Sequence, residues 1–193
     1  MNKIIAASIA DSISVKQSIL ADVTFQQKIE QAAQVCITTF RKGGKVLFCG
    51  NGGSAADAQH IAAELSGRFY TDRPPLYAEA LHVNTSYVTA VANDYGYDEV
   101  FARMVQAAGR TGDVLVAIST SGNSSNILKT IDVAKEQGMT VIGLTGASGG
   151  KMHDLCDVLL NVPSSDTPRI QESHILIGHI ICQIIESEMF EKV

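Results

Sequence analysis

Residues 45–65 read KVLFCGNGGSAADAQHIAAEL, and this stretch decides the fold. Its first five residues, Lys45–Cys49, form a short apolar run. A cluster of glycines and a serine stops the run, and a small-residue segment follows that predicts a helix over 54–66. A strand, a glycine-rich turn and a helix in that order are the first half of a βαβ unit. Glycines let the chain turn sharply and let backbone N–H groups approach an anion, and the following helix N-terminus adds its dipole. Ser54 is placed where an N-cap would stand. Gly50-x-Gly52-x-x-Ala55 also fits the dinucleotide pattern. The acidic residue which that pattern needs about 20 positions later is missing, because Arg68 and Asp72 fall in a loop before the next strand. No nucleotide cofactor is expected.

Working outward, the same alternation continues. Strand-like runs lie at Tyr77–His82, Asp113–Ser119, Met139–Thr145 and Val158–Val162. Helical patterns lie near 84–92, 98–109, 123–137 and from about 168 to 190. Strands alternating with helices predict an α/β fold, a five-stranded parallel sheet sandwiched by helices. Before it, residues 3–42 carry apolar positions at helical spacing and predict two helices broken near Asp22–Thr24. One domain over 1–193 is the expectation, with 1–42 packing outside the α/β core of 43–193.

In such sheets, ligands sit beyond the carboxyl ends of the strands. The loop after the third strand is Ser119-Thr120-Ser121-Gly122-Asn123-Ser124-Ser125, five hydroxyls around one glycine and one amide. Hydroxyls donate to phosphate without bringing charge, and a helix cap needs one of them, not five. No P-loop signature is present. The next loop, Thr145–Lys151, contains Gly146-x-Ser148-x-Gly150, which imitates a hydrolase nucleophile elbow; a lone five-residue match in a glycine-rich loop carries little weight. Asn93-Asp94 before Tyr95-Gly96 reads as a turn after a helix ending at Ala92.

His60 and Glu64 are four apart, hence neighbours on one helical face. The bland alternative is a surface pair, but their place one to three turns after the anion-cradling loop favours chemistry. The terminal helix is apolar nearly all round, which predicts burial. On it, Gln171 and His179 are two turns apart, separated by about 80° around the axis and roughly 12 Å along it. His174 points elsewhere and reads as structural.

Composition narrows the classes. Across 193 residues, 46% are hydrophobic and 18% charged, which argues for a packed core. A net charge of −5 offers no broad basic surface for nucleic acid. The four scattered cysteines fit a reducing compartment. No signal peptide or membrane-spanning run is read, so a cytoplasmic protein is expected.

Taken together, CGNGGSAADAQHIAAELSGRF (49–69), AISTSGNSSNI (117–127) and TPRIQESHILIGHI (167–180) resemble the SIS (sugar isomerase) domain family across nearly the whole chain. The resemblance is closest to its aldose–ketose isomerases, which convert sedoheptulose 7-phosphate to heptose 7-phosphate for lipopolysaccharide heptose synthesis. It implies a flavodoxin-like three-layer sandwich and a homotetramer with active sites at subunit interfaces. It implies substrate contacts at Asn51, Gly52, Gly53, Ser54, Glu64, Arg68, Asn93, Asp94, Ser119, Thr120, Ser121, Ser124 and Gln171. It implies one zinc per subunit held by His60, Glu64, Gln171 and His179, with Glu64 and His179 as the acid/base pair. Some members carry an aspartate where this chain has Pro168, and Asp166 is not carried over. The rival within the family is a non-catalytic scaffold resembling the DnaA initiator-associating protein, which lacks the carboxylate and histidine that this chain retains as Glu64 and His179.

Overall fold

The computed structural model describes residues 3–190. Helices α1 (Lys3–Ala21) and α2 (Val23–Arg41) come first. The core then runs β1 (Val46–Gly50), α3 (Gly53–Ser66), β2 (Ala78–Ala80), α4 (Thr85–Tyr95), α5 (Val100–Ala108), β3 (Val114–Ile118), α6 (Ser125–Glu136), β4 (Thr140–Thr145), β5 (Val158–Asn161) and α7 (Thr167–Phe190). Short 3-10 turns at Tyr97–Glu99 and Gly150–Asp154 precede α5 and β5. The break foreseen between the first two helices falls at Asp22, whose carboxylate accepts from the Phe25 N–H at 2.9 Å and caps α2.

All five strands pair in parallel, in the order β2-β1-β3-β4-β5. Every residue of β1 and β3 is buried, so neither strand shows a wet face. That follows from helices covering both sides. Side chains alternate between two cores: Val46, Phe48, Val114 and Val116 pack with α2, α3 and α7, while Leu47, Cys49, Leu115 and Ala117 pack with α5 and α6. On α2 the stripe Phe25, Ile29, Ala32, Ala33, Cys36, Ile37 and Phe40 recurs at helical spacing and is buried throughout. Cys36, Cys49 and Cys182 are free and buried and Cys156 is half-buried. Burial pushes the thiols of Cys36, Cys156 and Cys182 up to about 12, so they behave as packing groups.

Two readings of the chain are corrected. Helix α4 continues through Asn93 and Asp94 to Tyr95, because Gly96, at φ 93, is what ends it. The N-cap of α3 is Gly52, not Ser54, which is buried in the first turn. A further point concerns α1, which is long and apolar enough to cross a membrane, with a mean hydropathy of 1.3. The expectation that no segment could span is corrected here, because Asp11, Ser12 and Lys16 are too few to offset the apolar residues around them. Length and composition do not distinguish a span from a packing helix. Its polar face is tied to α7: Ser12 donates to Glu172 at 2.7 Å and the Arg169 guanidinium donates to the Ser8 carbonyl at 2.6 Å.

His174 is fully buried, and its Nε2–H donates to the Thr145 carbonyl at 3.1 Å, pinning α7 to the end of β4. Burial pushes its pKa down to about 4, against the partial opposition of that carbonyl. The folded protein therefore resists a proton that the unfolded chain accepts from about pH 6.5 downward. The neutral imidazole's contribution is complete above that pH and is lost as pH falls toward 4, a difference of roughly 3 kcal/mol. In urea titrations between pH 7.5 and 4.5, the stability gap between wild type and His174→Gln should narrow steadily with acidification. A constant gap would contradict the buried neutral state.

Candidate active site

Strand β1 leads to β2 on one side, and β3 lies on its other side and leads on to β4. The sheet therefore changes winding direction between β1 and β3, and a crevice opens beyond their carboxyl ends. The two loops singled out in the sequence, after β1 and after β3, are the walls of this crevice. They are joined directly. The Asn51 and Asn126 side chains exchange two amide hydrogen bonds, both 2.9 Å, and Tyr97 donates to Asn51 Oδ1 at 3.2 Å.

The helices that start here are open-ended. Neither Gly52 before α3 nor Ser124 before α6 makes a side-chain cap bond, whereas Asp22 and Asn84 cap α2 and α4. Ser124 instead lies with its Oγ 3.1 Å from Ser119 Oγ, which is 3.5 Å from Ser121 Oγ. Two uncapped N-termini and a hydroxyl cluster make a neutral, donor-rich cradle for an anion. The loop after β4 supports it from behind. Met152 N–H donates to the Gly122 carbonyl at 3.1 Å, and Lys151 N–H to Asn123 Oδ1 at 3.0 Å. Ser148 of the elbow-like motif accepts from the Gly150 N–H at 3.3 Å, and a 3-10 turn follows it. That is a loop bond, not a strand-to-helix elbow.

The ionisable residues converge along α3. His60 Nε2 is 3.0 Å from Glu64 Oε1 and 3.3 Å from His179 Nε2 on α7. The two imidazoles meet edge to face, with centroids 5.0 Å apart. One donor atom from each of the three residues lies within 4.8 Å of the others, a group able to hold a metal ion. The Glu64 side chain is 25% exposed and that of His60 50%, so the cluster faces out of the fold. Phe69 stacks on the far side of His179, at 5.7 Å and 26°. Gln171 stands nearer the start of α3, with its amide against Gly53.

His179 reaches α3 because its neighbour is Gly178. A Cβ there would lie 2.4 Å from Ile61 Cδ1, so the missing side chain is what lets the two helices touch beside His60. The sequence signal was available: a lone glycine inside an apolar helix marks a close approach. Asp57, one turn before His60, was also passed over. Burial lifts its carboxyl to about 6 against the opposing pull of His60, and its Oδ2 has no partner among the described residues. Asn126 and Phe69 were missed because nothing local marks them; their partners are far away in sequence.

The remaining expected residues lie apart. Asn93 and Asp94 are exposed on the last turn of α4, bonded to each other at 2.8 Å. Arg68 is exposed in the loop after α3, and Thr120 is half-buried at the crevice.

The fold and crevice define a class. Residues 12–146 match the model of the SIS domain. Over 192 residues, all of this chain and 97% of the relative, it is 55% identical to the phosphoheptose isomerase of Aneurinibacillus thermoaerophilus. Among solved structures, phosphoheptose isomerases from Francisella tularensis (TM-score 0.92, 40% identity, 97% of this chain and all of that one) and Neisseria gonorrhoeae (0.89, 49%, 95% and 97%) superpose on it. The chain belongs to the phosphoheptose isomerase family of SIS-domain proteins.

Proposed function

We propose that this protein is an aldose–ketose isomerase that interconverts sedoheptulose 7-phosphate and D-glycero-D-manno-heptose 7-phosphate. The observation that carries this reading is the meeting of Glu64, His60 and His179 on the same helix whose open N-terminus forms the anion cradle. The helical rise from Gly53 to His60 is about 10 Å, the length scale of an extended phosphorylated sugar. The phosphate is held by the amides and hydroxyls of 51–53 and 119–124, with Gln171 beside the sugar; Arg68, Asn93 and Asp94, which lie apart from the cradle within one chain, would reach a sugar bound at a subunit interface. The carbonyl end then lies at Glu64 and His179.

Isomerisation moves a proton between adjacent carbons through an enediolate. The Glu64 carboxylate takes the proton from one carbon and returns it to the next, while His179 carries the hydroxyl proton. Fixing the cradle and Glu64 on one rigid element keeps the reacting carbons in register.

The donor set fits zinc. Ligands about 2.0–2.1 Å from a tetrahedral ion are separated by about 3.3 Å, and the three donors here are separated by similar distances along the His60 edges. His60, Glu64 and His179 would hold the ion, and when bound it would stabilise charge on the enediolate oxygens; Gln171, expected as a fourth ligand, stands apart from these three donors, against Gly53. Assembly as a tetramer is part of the proposal. Ile4, Ile5, Ile9, Ile13, Leu20 and Val23 are more than half exposed, and a groove of about 860 Å³ between α1, α2 and α7 runs past Ile180, next to His179. A second copy covering that face would close the site from outside. A cytoplasmic location is part of the same reading, as the compartment in which a sugar-phosphate substrate is made and used. Retention of Glu64 and His179 weighs against a purely scaffolding member of the family.

The test is turnover of sedoheptulose 7-phosphate by the purified protein; none with correctly assembled protein overturns the proposal. Extended chelation should lower turnover by at least tenfold, with recovery on adding zinc. Unchanged turnover in a sample verified as metal-free would remove zinc from the scheme.

A further inference from the structure

Beyond the cluster lies a charged pair that the chemistry above does not use. Arg73, in the loop after α3, and Glu186, near the end of α7, are 3.1 Å apart, and their side chains are 2% and 3% exposed. Neither spends its bonds on the other alone. The Glu186 carboxylate accepts backbone N–H groups from Tyr70 at 2.8 Å, Thr71 at 3.2 Å and Phe69 at 3.3 Å. The Arg73 guanidinium donates to the carbonyls of Glu64 at 2.8 Å, Leu65 at 2.9 Å and Pro74 at 3.1 Å, and Phe190 lies under it at 5.3 Å. Burial alone would raise the Glu186 carboxyl; the amides of Tyr70 and Thr71, Arg73 and the Phe69 amide outweigh it and hold it below the usual range.

We infer that Glu186 and Arg73 form a positioning clamp that sets the separation of Glu64 and His179. Each end of the clamp reaches one partner of the reacting pair. Arg73 grips the last-turn carbonyls of α3, including that of Glu64, which are the groups a helix end leaves without partners. Glu186 fixes the backbone of 69–71, and this holds the Phe69 ring stacked beside the imidazole of His179, 5.7 Å between centroids and 26° between planes. Both ends are anchored on α7, so α3, the loop and α7 are locked into one geometry around the cluster. A buried ion pair is weak evidence of stability in itself, since desolvation offsets its attraction; fixing a unique arrangement is the better account of this one. Among the described residues, none of the clamp's hydrogen bonds reaches the anion cradle, which lies at the other end of α3.

The inference rests on the isomerase reading, and the test separates the two. Glu186→Asp keeps the charge and withdraws it by one methylene. With sedoheptulose 7-phosphate, kcat should fall about 10- to 100-fold, with KM within about twofold of wild type. Phe69→Leu, which leaves the buried pair intact, should lower kcat in the same way if Glu186→Asp proves too unstable to assay. The deciding measurement is coupling. In a His179→Gln background, which removes the imidazole being positioned, each substitution should have less than about a third of its effect on kcat. A structural role alone would carry the full loss into that background. Full independence from His179, or kcat unchanged in both single variants, overturns the clamp. Inactive wild-type protein would instead overturn the isomerase assignment.

Discussion

Glu64→Gln should lower kcat for sedoheptulose 7-phosphate by about 10²- to 10⁴-fold, the range in which a positioned general base acts. The substitution preserves shape and leaves an amide oxygen 3.0 Å from His60 to accept its hydrogen bond. The lost property is the capacity to accept a proton from carbon, and among the described residues Glu64 is the one carboxylate in the cluster with the two imidazoles. Substrate still enters by its phosphate, at loops that Glu64 does not touch, so KM should move little. His179→Gln should show a comparable loss. Circular dichroism and the oligomeric state should match wild type in both, since Glu64 and His179 are partly exposed and carry none of the core. Activity within fivefold of wild type in the Glu64 variant would mean that the carbon-bound proton is moved by another group. Asp57, one turn before His60 and with its carboxyl lifted by burial to about 6, is then the first residue to substitute.

Gly178→Val should be nearly as damaging although residue 178 meets no ligand. The Cβ would stand 2.4 Å from Ile61 Cδ1 and 2.7 Å from Cγ1, and Ile61 is 3% exposed, with only a small apolar cavity of about 20 Å³ beside it to take up the displaced atoms. The strain is relieved by pushing α7 away from α3 at the level of the 3.3 Å contact between His60 and His179. Overpacking of this kind costs about 1–3 kcal/mol, readable as a lower urea midpoint. A displacement near 1 Å at the reacting groups costs about 100-fold in rate, which a coupled assay will resolve. Gly178→Ala should fall between. A valine variant with wild-type kcat would show that Ile61 yields without moving the helices.

The sequence carried the sheet and the cradle because both are written locally. The apolar runs of β1 and β3 and their glycine and hydroxyl loops sit within single segments of chain, and each segment announces its own geometry. His60 and Glu64 were legible for the same reason: one helical turn separates them. Their union with His179 was not derivable from periodicity, since the two imidazoles are 119 positions apart; family likeness supplied it. The Asn51–Asn126 exchange spans 75 residues and the Arg73–Glu186 pair 113, and no local pattern marks either. Where the reading went astray, at the end of α4 and the cap of α3, a glycine's backbone angle decided the boundary against side-chain preference.

The reciprocal amide exchange between Asn51 and Asn126 has a consequence for selectivity. It rivets the two walls of the crevice together before any guest arrives, so the phosphate enters a ready-made socket and little ordering entropy is spent on it. Such a socket greets any phosphorylated sugar alike. Choosing the seven-carbon chain must then fall to the opposite end, where reach alone determines whether a carbonyl arrives at the carboxylate.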